Sequence, residues 1–172
     1  MKYFSRFTII PTLLTYILIF VGGLVRVSGA GMGCPDWPKC FGRWIPPTHL
    51  DQLPAHIDPA QFNIVLAWIE YSNRLVGVII GLMVTATLIL AYRYYKNEKK
   101  VLTPRLLSFI LVGLVGWQGS QVVGTVLNPV TVSLHMVLAL FAISFLIIGT
   151  QNAYYLTYPT DEKDSYYTCK MK

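Results

Sequence analysis

Four runs of apolar residues, each close to the length that crosses a bilayer, dictate what this chain can fold into. A hydrocarbon core takes about 20 residues of α-helix. The runs lie at about 7–27, 66–92, 106–127 and 131–153. A backbone in lipid must satisfy its N–H and C=O groups internally, so such runs are helices. The expectation is an all-α integral membrane four-helix bundle over 1–156, with a polar tail at 157–172. Only 13% of the residues are charged and 54% are hydrophobic, where a soluble domain carries about a quarter charged residues. That disfavours a soluble all-α domain. The first run has a basic start, as a signal peptide does. Its length and the poor cleavage sequence "VRVSGAGMG" (Val25–Gly33) mark it as a retained span.

The net charge of +6 records orientation in a membrane chain rather than a nucleic-acid partner. Lys2 and Arg6 precede the first run, and Arg93, Lys96, Lys99, Lys100 and Arg105 lie between the second and third. The long first loop holds only Lys39 and Arg43, with Arg26 at its edge. Both termini and the middle loop are therefore expected in the cytoplasm of a multi-pass cell-membrane protein. The large loop between helices 1 and 2 is expected outside.

That loop contains Cys34 and Cys40 around a Pro-Asp-Trp-Pro turn. An oxidising compartment preserves disulfides, and Pro35 and Pro38 pre-bend the short connection. A disulfide is the first reading. Free thiols and a metal pair stay open, although five intervening residues depart from the CxxC spacing of a metal site. Cys169, in the tail, is expected to be reduced. Further on, "DPAQF" (Asp58–Phe62) reads as the start of helix 2, with Asp58 as cap and Pro59 at the first helical position. "NPVT" (Asn128–Thr131) reads as a tight turn between the last two spans.

Polar residues inside spans are costly and are functional candidates by default. Glu70, Asn73 and Arg74 share a helix face. His135 lies about one turn into the fourth span. Helices 2 and 4 run in the same direction, so the four residues lie at similar depth. Each also has a structural reading: a Glu70–Arg74 ion pair, and a histidine hydrogen-bonded to a neighbour. Gly113, Gly116 and Gly119 share a face of span three, which suits close helix packing or a flat cofactor. A neutral imidazole binds haem iron, Arg26 and Arg74 suit propionates, and a buried carboxylate can take a proton. Together these residues describe a haem-sized polar pocket at the loop side of the bundle.

The stretches "GGLVRVSGAGMGCPDWPKCFGRWIP", "WIEYSNRLVG" and "GSQVVGTVLNPVTVSLHMVLA" resemble the haem A synthase family, from about Gly22 to Ala139. The resemblance implies oxidation of the haem O methyl group to the formyl group of haem A, which terminal oxidases use. It places Glu70 on the family's essential carboxylate, His135 on the histidine of the fourth helix, and Cys34 and Cys40 on its cysteine pair. Haem O would be the substrate, its iron on His135, with Glu70 beside the reacting methyl. Many members have eight helices in two halves, one of which holds haem b, and this chain resembles the first half. The implied partners are the bilayer, haem O, a second copy or a second-half partner, haem O synthase and terminal oxidase assembly factors. The chain departs from the family at Asn73, where a histidine is expected; asparagine is a poor iron ligand. Rival readings are a non-catalytic haem-binding subunit or half-enzyme needing a partner, an electron-transfer cytochrome, and a haem-free transporter or scaffold. A cytochrome would want two histidines per haem, and His49 and His56 both lie in the loop.

Overall fold

The computed structural model describes residues 2–27, 33–55, 57–59 and 62–158. Four helices make up the fold: α1 (Lys2–Val27), α2 (Ile64–Tyr94), α3 (Lys99–Gly124) and α4 (Pro129–Thr157). A single 3-10 turn, Leu50–Gln52, interrupts the long α1–α2 loop. Each of the four helices is long and apolar enough to cross a membrane. Large apolar side chains such as Phe20, Leu82, Ile89 and Phe141 point outward, as a bilayer-embedded bundle requires.

The helices form a ring. α1 packs on α2 and α4, and α3 packs on the same two, with α3–α4 the most extensive contact. α2 and α4 therefore face each other across the diagonal. One cluster joins Phe4, Ala91, Tyr95, Val101 and Ala153, which brings the start of α1 and α3 to the end of α2 and α4. Successive helices thus run antiparallel. A second cluster, Ile80, Val84 and Leu146 with Leu14, Leu18 and Val112, fills the middle. A third forms where the loop covers the start of α2, around Cys34, Cys40, Phe41 and Ala67. The helices are thus knitted together from the terminal end to the middle, and the loop end is built differently.

Local chemistry sets the helix bounds. α2 starts at Ile64, later than "DPAQF" implies. Asn63 is its cap, accepting from Val65 N at 3.0 Å and Leu66 N at 3.2 Å. Asp58 and Pro59 lie in the chain before it, where Phe62 N donates to Pro59 O; Ala60 and Gln61 lie outside the described residues. α4 starts where "NPVT" places it: Asn128 accepts from Val130 N at 3.0 Å and Pro129 opens the helix. α3 begins at Lys99, seven residues before the apolar run. Pro104 inside it cannot donate to the Lys100 carbonyl, and Asn152 of α4 donates to that carbonyl instead, at 2.7 Å.

This early start corrects the placing of Arg105 in the connecting loop. Arg105 is in α3 and fully buried. Its Nη2 donates to Thr150 Oγ1 at 2.8 Å. Gly149 makes the room, since a Cβ there would stand 3.0 Å from Arg105 Nε.

Candidate functional site

Cys34 and Cys40 are joined in a disulfide, with Cα atoms 4.8 Å apart. The loop they close is organised by Asp36, whose carboxylate accepts from Phe41 N at 2.6 Å and Gly42 N at 2.8 Å. Phe41 and Gly42 both have positive φ. Phe41 then stacks edge-on against Phe62, with ring centroids 5.3 Å apart.

Glu70 and Arg74 pin this loop to α2. One turn apart, they form the expected ion pair. Glu70 Oε2 also accepts from Cys34 N at 3.0 Å. Arg74 Nη1 donates to Asp36 O at 2.7 Å and Lys39 O at 3.0 Å, and Nη2 to Cys34 O at 3.3 Å. Gly33 lets the loop come this close. A Cβ on it would collide with the Leu66 carbonyl and stand 2.7 Å from Ala67 N. The pair therefore does more than neutralise itself: it holds the disulfide loop against the start of α2.

His135 belongs to a separate cluster on α3 and α4. Its Nδ1 lies 3.0 Å from Gln118 Oε1, and Gln118 Nε2 donates to Thr131 O at 2.9 Å. The imidazole rests against Gly119, where a Cβ would stand 3.5 Å from Cε1. A Cβ on Gly113 or Gly116 would meet nothing within 4 Å, so close helix packing does not explain those two glycines. Glu70 is six residues into α2 and His135 six into α4, a rise of about 9 Å in each. The depth expectation therefore fits the helices. Among the described residues, no hydrogen bond or ion pair joins Glu70 or Arg74 to His135.

Arg26 lies in the last turn of α1 and reaches the α3–α4 turn, donating to Leu127 O at 3.4 Å. Asn73 lines an open apolar groove of about 650 Å³ between α1 and α2. Its Oδ1 is buried and has no partner among the described residues. His49 is exposed, while His56 and Cys169 lie outside the described residues. Sequence reasoning missed Gln118. The signal was present, since a glutamine within a span is as conspicuous as a histidine.

The geometry sets a polar, disulfide-capped end against a histidine seated on a glycine. Residues 5–167 match the model of a family described as "Cytochrome oxidase assembly protein". The chain belongs to this family. It is similar to the heme A synthase of Bacillus cereus (strain 03BB102), at 30% identity over 145 residues, covering 82% of this chain and 42% of the relative. The heme A synthases of Bacillus anthracis (strain A0248) and Bacillus mycoides (strain KBAB4) match with the same identity and coverage. The chain thus spans less than half the length of these curated relatives. No solved structure matches it. Membership in the oxidase assembly family agrees with the four membrane-spanning-capable helices of a multi-pass membrane protein.

Proposed function

We propose that the chain is a haem A synthase-like membrane oxidoreductase, converting the methyl group of haem O to the formyl group of haem A for terminal oxidase assembly. The observation that carries this reading is His135. Its Nδ1 is engaged by Gln118, its ring lies on Gly119, and Nε2 takes no part in that bond. The residues fit a haem. An imidazole nitrogen serves the iron. Gly113 and Gly116 leave a smooth surface. Asn73 faces the separate groove between α1 and α2, where its buried Oδ1, without a partner among the described residues, can accept from a bound molecule but is no substitute for an imidazole. When bound, the porphyrin supplies a conjugated ring that spreads charge developing at the reacting methyl.

The chain's own residues hold and orient. His135 would hold the iron of haem O. Among the described residues, the Arg26 side chain makes one hydrogen bond, to Leu127 O, and its guanidinium is suited to a propionate. Arg74 is occupied by three loop carbonyls and acts by fixing Glu70. Glu70 would accept a proton as an electron acceptor outside the chain takes the electrons of the methyl group and water supplies the formyl oxygen. Haem b, a second copy or a partner half, haem O synthase and oxidase assembly factors belong to the same reading. So does the topology: the basic excess near α1's start and the α2–α3 connection puts both termini in the cytoplasm, and the disulfide loop outside the cell membrane.

Substituting Glu70 and His135 tests the roles. Glu70→Gln is expected to keep haem O bound and make no haem A. His135→Ala is expected to lose the haem. Normal haem A formation by Glu70→Gln refutes its role, and full haem content in His135→Ala refutes the ligand assignment.

A further inference from the structure

Gln118 is almost wholly buried, 4% exposed, and it touches two groups of unlike chemistry. A primary amide has one end that only donates and one that only accepts. The Thr131 carbonyl can only accept, and it lies 2.9 Å from Nε2. The amide nitrogen must therefore face Thr131. Reversing the amide would set oxygen against oxygen there. The side-chain oxygen in turn faces His135 Nδ1 at 3.0 Å. That oxygen can only accept, so Nδ1 carries the hydrogen. A neutral imidazole has a single N–H, which leaves the lone pair on Nε2.

We propose that Gln118 is a positioning residue: its side-chain oxygen locks His135 in the Nδ1–H tautomer and presents the Nε2 lone pair to a haem iron. The iron half of this inference rests on the haem-binding reading above; the tautomer half does not. The device is short and rigid. Thr131 and His135 are one turn apart on α4, and Gln118 bridges them from α3, so the ring is oriented by the closest helix pair in the fold. Histidines that bind metals commonly donate their other ring N–H to an acceptor of this kind, which fixes the ring and raises its basicity.

The test uses the full chain, haem-free, in detergent, with 15N-labelled histidine at a pH of about 8, where histidine is neutral. The chain has three histidines, and His135 is assigned by the signals lost in His135→Gln. The expected spectrum has a protonated Nδ1 and an unprotonated Nε2 at His135. The acceptor oxygen of Gln118 is the group under test. Gln118→Met removes it and should move the population toward Nε2–H. A wild-type His135 protonated on Nε2 overturns the proposal, as does an unchanged tautomer in Gln118→Met. With haem added, Gln118→Met should raise the midpoint potential relative to wild type; an unchanged potential overturns the iron half. A chain that shows the expected tautomer but takes up no haem refutes the haem-binding reading and leaves the tautomer lock standing.

Discussion

Glu70 has two kinds of neighbour, and the sequence shows only one of them. The i, i+4 spacing to Arg74 is legible as an ion pair. The attachment to Cys34, 36 residues earlier, is not, because a helix face says nothing about which loop lies over it. The same holds for Arg74, whose guanidinium links three carbonyls of the disulfide loop to α2. A planar fork with five donors can do this where a lysine could not. Gly33 is the complementary feature on the loop, since its missing side chain lets the two backbones touch. Gly33→Ala is expected to cost about 1–3 kcal/mol through forced backbone movement. Thermal unfolding in detergent should show the loss, together with faster proteolysis at Lys39 or Arg43. Wild-type stability would mean that the loop does not pack on α2 in this way.

The apolar runs locate four helices well, because hydrocarbon leaves a spanning backbone no alternative. Helix ends are less legible, because they are decided by single caps. Upstream of α2, Asp58 reads as the cap in the sequence, but Asn63 is the residue that accepts from two amides of the first turn. Asn63→Ala should lower stability by about 1 kcal/mol, read from the thermal midpoint; no loss would mean that α2's start is fixed by the chain before it. Arg105 was hidden for a different reason. A run of basic residues beside a span reads as a connecting loop. Here the helix begins inside that run, and Gly149 on α4 leaves room for the guanidinium. Gln118 could have been found from its place within a span, but only its contacts with Thr131 and His135 give it a purpose.

As a whole, the helices are joined by apolar clusters at the terminal end and middle, and at the other end a disulfide loop is pinned on the start of α2. The antiparallel ring puts α2 and α4 on a diagonal with their polar residues at matching heights, which the sequence implied through direction and depth. It did not imply that Glu70 and Arg74 would be held by the loop. The proposed topology can be read from thiols. With Cys34 and Cys40 paired, Cys169 is the remaining cysteine of three. A membrane-impermeant maleimide should label it in inverted vesicles and not in intact cells, and reduction of intact cells should expose the other two. Labelling of Cys169 from outside would reverse the orientation. The central claim is tested most directly by expressing the chain in a host that supplies haem O but makes no haem A, purifying it, and identifying its extracted haem by mass. The account predicts haem A. A chain that carries only haem O or haem b, or no haem at all, would contradict it.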